Sequence, residues 1–276
     1  MRRTRPSAAR QRGVALLTAL LVVALATIAA VSMATRQHMD IRRTTNVFTH
    51  DQAYQLSLGA EAYALALLGE VHRDNDVDLP WDGCLSPPIP VVLEDADLTV
   101  WLEDMHCRFN LNNLATEDEA VHQGFVQLLD AISMEATGVT LDSDGLTRRI
   151  RDWLDPETDD PGYPALDPPY LSGNQPMLSP TELRLVLDMT DEVWREVAPY
   201  VTALPESGTR IHPVEAPEIL LEAFEAGQED EDAEFTSRYY RLAVRTELLG
   251  RRFVLCSLLD IADQRVILRE QIPCGP

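Results

Sequence analysis

No lysine occurs in the 276 residues, so all 23 basic side chains are arginines. Without lysine there is no P-loop, and neither G-x-S-x-G nor H-E-x-x-H is present. The six histidines are scattered, and no catalytic set is recognisable. No cysteine pair has C-x-x-C spacing and none sits beside a histidine cluster, which excludes the common zinc frameworks. Positive charge is scarce: 45 acidic residues leave a formal net charge of −22. Arg2, Arg3, Arg5, Arg10 and Arg12 crowd the extreme N-terminus, so the remainder is more acidic still. Such a surface is repelled by nucleic acid and by anionic lipid, and attracts divalent cations or basic partner surfaces. With 45% apolar residues the chain is neither disordered nor fibrous, and its length allows one large domain or two small ones.

What the chain does have is one long uncharged run, Val14 to Thr35. As a helix rising about 1.5 Å per residue, it just spans a hydrocarbon core of about 30 Å. Arg10 and Arg12 precede it, so the positive-inside rule keeps the N-terminus cytoplasmic and sends the rest outward. A conventional signal peptide has a shorter apolar region followed by its cleavage site. Here the obvious junction comes before the run, at Arg12-Gly13-Val14-Ala15-Leu16-Leu17-Thr18. That junction resembles the cleavage site of type IV prepilins and pseudopilins. The resemblance implies leader removal between Gly13 and Val14, then N-methylation of Val14 by prepilin peptidase. Most relatives carry Glu at the fifth mature position, where this chain has Thr18. In the fibre that Glu neutralises a neighbouring subunit's terminal amine, and a buried carboxylate without its partner is costly. A subunit with no neighbour above it can dispense with the carboxylate.

Residues 36–72 lack proline, and Ile41, Phe48, Tyr54, Leu58, Ala62 and Leu65 recur at roughly helical spacing. One helix is therefore expected over 14–71, transmembrane to about residue 35 and packed on a sheet beyond it. Residues 75–90 read as a loop. Strands are expected at Val91–Leu93, Leu98–Leu102 and Cys107–Leu111. Helices are expected at Glu117–Glu135, Asp144–Leu154, Ser179–Leu187, Asp191–Thr202 and Ala216–Phe224. The acidic run Gln228–Glu234 reads as a solvated loop. Strands return at Arg238–Leu248, Arg251–Asp260 and Arg265–Gln271. The expected fold class is α+β, a helical insertion within an antiparallel sheet domain. The expected divisions are leader 1–13, helix 14–72, first sheet part 73–111, helical insertion 112–227 and last strands 228–276. The even cysteine count fits two disulfides in an oxidising compartment. Four cysteines allow three connectivities. The expected pairs are Cys84–Cys107 and Cys256–Cys274, closing loops of about 23 and about 18 residues, each contributing roughly 3 kcal/mol.

The order of local motifs sharpens the resemblance. Phe109-Asn110-Leu111-Asn112, Asp152-Trp153-Leu154-Asp155, Ser179-Pro180-Thr181-Glu182-Leu183 and Pro199–Pro205 are similar to landmarks of the K family of minor pseudopilins in the bacterial type II secretion system. Ile211–Pro217 departs from the Asn-rich version in relatives. The resemblance implies a pilin-like fold with a large all-α insertion, and a non-enzymatic protein capping the tip of a periplasmic pseudopilus. It implies a single-pass inner-membrane protein with its globular part in the periplasm. The implied partners are I-type and J-type minor pseudopilins, the major pseudopilin, prepilin peptidase and the inner-membrane assembly platform, without nucleic acid.

Asp155, Glu157, Asp159, Asp160 and Asp167 crowd one loop. Hard oxygen donors at this density suit Ca²⁺, which takes six to eight oxygens. The start resembles an EF-hand loop, but Gly162 falls too late and Leu166 stands where a Glu is required. The family resemblance implies structural calcium on these acids. The competing assignment is a membrane-anchored, metal-dependent periplasmic hydrolase using the same acids. Ser179–Leu204 also resembles a helix-hairpin-helix, a DNA-binding reading that the charge opposes.

Overall fold

A computed structural model describes residues 11–73, 81, 83–135, 141–158, 160–224, 235–272 and 274. The leader residues 1–10, residues 74–80, Asp159 and the acidic run 228–234 lie outside them. The chain divides into two compact units, residues 1–55 and 56–276.

The first unit is helix α1, which spans Gln11–Arg73 and continues into the second. Val14, Leu17, Leu21, Val23, Ile28 and Val31 stand out all round it, each more than half exposed. A soluble helix would confine such residues to one stripe, so this surface requires lipid or partner helices around it. It is the one helix among the described residues long and apolar enough to cross a membrane.

The second unit is built on an antiparallel sheet in the order β1-β2-β5-β6-β7. Its strands are β1 (Ile89–Val92), β2 (Ala96–Asp104), β5 (Tyr239–Leu248), β6 (Arg251–Asp260) and β7 (Arg265–Glu270). Leu249 and Gly250 join β5 to β6 with φ of 50° and 72°, the left-handed pair that suits a tight hairpin. Alternation puts Leu98, Val100 and Leu102 of β2 on the same face as Leu242 and Val244 of β5, opposite Trp101 and Ala243. The last turns of α1 pack on the Leu242–Val244 face. The Ser57 and Thr246 hydroxyls lie 2.9 Å apart, and Leu68 is fully buried. Glu61 is buried as well, its carboxylate held by Arg269 of β7 at 2.8–3.1 Å and by the Ser257 hydroxyl.

β2 and β5 are neighbours in the sheet but more than 130 residues apart in sequence, and the helical block fills the interval. It contains α2 (Glu119–Glu135), α3 (Ser143–Leu154), α4 (Asp191–Val197) and α5 (Glu218–Ala223). Its core holds Phe125, Leu129, Ile150, Trp153, Tyr163 and Leu183, and Phe109 stacks between Phe125 and Phe224 at 5.0 and 4.7 Å. Asp142 caps α3 through the Gly145 N–H, and Thr190 caps α4 through the Val193 N–H.

Three expected elements differ. Cys107–Leu111 is not a strand of the main sheet: only Phe109–Asn110 (β3) is paired, in parallel with Val201–Thr202 (β4) inside the helical block. The expected helix over Asp191–Thr202 ends at Val197, because Pro199 has no N–H to continue it. Ser179–Leu187 is a 3₁₀ segment, Pro180–Leu185, started by a Ser179–Glu182 capping box and closed by the Val186 N–H on the Leu183 carbonyl. Two turns between fixed ends favour the tighter i→i+3 bonding.

Candidate functional site

The anchor helix carries four hydroxyls within its apolar run, Ser32 and three threonines. Thr18, Thr27 and Thr35 donate to the carbonyls of Ala15, Val23 and Val31 at 3.0, 2.8 and 2.9 Å. Each is satisfied within the helix, which removes the penalty a free hydroxyl meets in hydrocarbon. Thr18 therefore occupies the fifth position after Gly13 without needing a neighbour's charge. The first acidic residue along the helix is Asp40.

Where the helical block meets the sheet, three buried asparagines form a clamp. Asn110 Oδ1 accepts from the Asn112 and Leu204 N–H groups, and its amide donates to the Glu206 carbonyl at 2.7 Å. Asn112 donates to the carbonyls of Met177 and Leu204 at 3.0 and 2.7 Å and accepts from the Met177 N–H at 2.8 Å. Asn113 accepts from the N–H groups of Gly208 and Thr209 and donates to the Thr209 carbonyl. An amide side chain offers both donors and an acceptor, which is what irregular backbone requires when it is buried. Cys84–Cys107 ties the segment before β1 to the start of this clamp, and Cys256–Cys274 ties the C-terminal tail to β6. Both expected pairings are therefore present.

Charge at the junction is organised around arginine. Arg238 grips buried Asp260 with two bonds of 2.8 and 2.9 Å, and Arg265 adds two more. Burial alone would raise the Asp260 carboxyl, but these arginines and the Asp263 N–H bring it down to about 2. Glu103 accepts from both Arg108 and Arg241. Burial lowers the Arg108 guanidinium from its usual value against the pull of Glu103.

The acidic loop uses its carboxylates locally. Asp155 accepts from the Glu157 N–H and the Thr158 hydroxyl, both at 2.8 Å, and these bonds hold its carboxyl below the usual value. Asp160 accepts from the Gly162 N–H at 2.7 Å. Asp155, Glu157 and Asp167 are exposed and Asp160 is half-buried. Among the described residues no three acidic, histidine or cysteine side chains converge as a formed metal cage. The donor chemistry suits a hard cation, since every described acid of the loop keeps carboxylate lone pairs free of protein donors.

The family model for type II secretion system protein K matches residues 107–206, from Cys107 just before β3 to Glu206 of the asparagine clamp. The type II secretion system protein K of Aeromonas hydrophila is 34% identical over 72% of this chain and 66% of its own length. That of Pseudomonas aeruginosa is 30% identical over 96% of this chain and 89% of its own. The chain belongs to the type II secretion system protein K family. A solved chain from the crystal structure of the GspK-GspI-GspJ complex of the enterotoxigenic Escherichia coli type 2 secretion system shares the fold. Its TM-score is 0.71 at 20% identity, covering 84% of this chain and 100% of that one. The fold is pilin-like, as expected, with the helical block inserted between adjacent strands.

Within this protein K fold the asparagines were legible as a motif, but their targets were not. The carbonyls they hold belong to residues 65 to 96 positions away, without any side-chain signature of their own. The arginine pairs escaped because nothing in an arginine's neighbours along a strand marks the carboxylate across the sheet. His106 and His212 are two of the six scattered histidines that carried no signal in the sequence, yet they meet at the junction.

Proposed function

We propose that this protein K chain is the minor pseudopilin that caps the tip of a periplasmic pseudopilus and helps initiate its assembly. The observation that carries the reading is the helical block inserted in the chain between the paired strands β2 and β5, a bulk that would oppose stacking of another pilin-like subunit. Thr18 in place of a carboxylate supports the same position, since a topmost subunit has no terminal amine above it to neutralise. The role is geometric and assigns the chain no catalytic step. The anchor would cross the inner membrane once, with residues 1–13 cytoplasmic and removed by prepilin peptidase, and Val14 then N-methylated. I-type and J-type minor pseudopilins would dock beside it, as the GspI and GspJ chains accompany the E. coli protein. The major pseudopilin and the inner-membrane assembly platform would follow, and nucleic acid is no partner of so acidic a surface.

Calcium belongs to the same proposal. Asp155, Glu157, Asp159, Asp160 and Asp167 supply hard oxygens, and a divalent ion would relieve their mutual repulsion and order the loop beneath α3. The deciding experiment is N-terminal sequencing with co-purification from membranes. An N-methylated Val14 and accompanying small pilin-like chains are expected. An intact Met1, or Gly13→Leu protein that is still shortened, overturns the assignment.

A further inference from the structure

The segment Ile211–Pro217 leaves the asparagine clamp and runs to α5, and it carries the second histidine of the junction. His212 Nδ1 accepts from two backbone N–H groups, Val214 at 3.3 Å and Glu215 at 3.0 Å, so this one lone pair holds the 213–215 turn. Asparagine commonly plays this part at turns, through its side-chain oxygen. The His212 N–H in turn donates to the His106 carbonyl at 2.9 Å. His106 sits just beyond β2. Its Nδ1 meets the Arg210 carbonyl at 2.8 Å and its Nε2 accepts from the Arg238 N–H at 3.2 Å. Phe235 stands edge-on to both imidazoles, at 5.4 and 4.8 Å, and Tyr239 stacks on His106. The two histidines therefore join three stretches: the loop leaving the helical block, the end of β2 and the entry to β5.

We infer that His212 makes this joint acid-labile: a proton taken up from solvent by Nδ1 consumes the lone pair that both turn amides share. The resulting N–H faces two other N–H donors, and the turn opens. The charged groups around the ring act in both directions. Asp104 from the end of β2 and Glu215 from the loop favour the imidazolium. His106 opposes it, and Arg210, lying over Phe235 at 6.0 Å, adds a further positive charge. Arg238 at the start of β5 is engaged by Asp260, Glu206 and Asp263. Burial is the largest influence and lowers the His212 value below that of a free imidazole. The unfolded chain thus takes up the proton first, and the joint loses stability as pH falls below about 6.5.

The test uses the full chain in detergent micelles, isotopically labelled, from pH 7.5 to 5. It reads the His212 ring nitrogens and the exchange protection of the His212, Val214 and Glu215 amides, corrected for intrinsic rates. Protection is expected to fall at least tenfold, with the midpoint of Nδ1 protonation. In His212→Asn, whose oxygen accepts the same N–H groups but does not titrate, protection should hold across the range. In His212→Ala it should be low throughout. Unchanged protection in the wild type, or an equal fall in His212→Asn, overturns the inference. Should the asparagine variant misfold, the wild type decides alone: loss of protection at a midpoint different from that of Nδ1 refutes it. The readout is internal to the chain and does not depend on its place in a pseudopilus.

Discussion

Glu61 and Arg269 form a lopsided pair, and the asymmetry gives a quantitative prediction. The Glu61 side chain is 4% exposed and that of Arg269 is 45% exposed. Removing Glu61 leaves a guanidinium that can turn to water, so Glu61→Leu should cost only about 1 kcal/mol, close to the value of a surface pair. Removing Arg269 strands a carboxylate between α1 and the sheet, still bonded to the Ser257 hydroxyl but without its countercharge. Stranding a buried charge costs about 3–5 kcal/mol. Partial access of water around the vacated arginine position brings this to roughly 2–4 kcal/mol, or about 5–12 °C in melting temperature for a domain of this size. The double variant Glu61→Leu/Arg269→Leu removes both charges and should recover to within about 1 kcal/mol of the wild type. Urea and thermal melts of the full chain in detergent, followed by tryptophan fluorescence, measure the cycle. If Arg269→Leu is no worse than Glu61→Leu, or the double variant is as unstable as Arg269→Leu, the buried charge is not what locks α1 to the sheet.

Three further outcomes are expected. Asn112→Ala leaves the Met177 N–H and two buried carbonyls without partners, and should cost about 2–4 kcal/mol by urea melts while α1 stays helical. Asp260 is depressed to about 2 against an ordinary value of about 3.9, so its contribution is complete above pH 4 and lost as pH falls toward 2. Melting temperature plotted against pH should be flatter across that window in Asp260→Asn than in the wild type. Calcium should raise the melting temperature and EDTA lower it, by an amount equivalent to about 2.7 kcal/mol at a hundredfold excess over Kd. Asp159→Asn with Asp160→Asn should blunt that response, and a melt indifferent to both additions would leave the acids as a solvated loop.

Patterns with a short period were the legible part of this fold. The uncharged run from Val14, the apolar run within Arg251–Asp260 and the 3.6-residue repeat in Glu119–Glu135 each carry their signal within a few residues, and each element lies where its pattern puts it. The disulfide pairs were accessible for a related reason, since each joins cysteines 23 or 18 positions apart across elements already laid out. Phe109–Asn110 misled because two extended residues beside a cysteine look like any strand. Their partner, Val201–Thr202, is two residues long and sits behind Pro199, which also stopped the helix expected there. Neither fragment has a periodicity long enough to register; both exist because the asparagine clamp holds their flanks.

That dependence bears on how the block serves a cap. Beyond α2 and α3 the helical block has little long regular structure: α4 and α5 run for 7 and 6 residues, shorter than helices that persist in isolation. Its shape rests on Asn110, Asn112 and Asn113, on Cys84–Cys107 and on the two-histidine joint, all at the boundary with the sheet. A block held mainly along its boundary keeps its outer surface free for variation, so long as the boundary residues persist. Substitutions on the outward sides of α2 and α3 should then change partner choice with little effect on folding. Substitutions at the clamp should act the other way, lowering stability and assembly together. Expression and co-purification of Gln127→Glu, on the exposed side of α2, beside Asn112→Ala separates the two classes. Equal loss of folded protein from both would mean that the helices, not the boundary, carry the block.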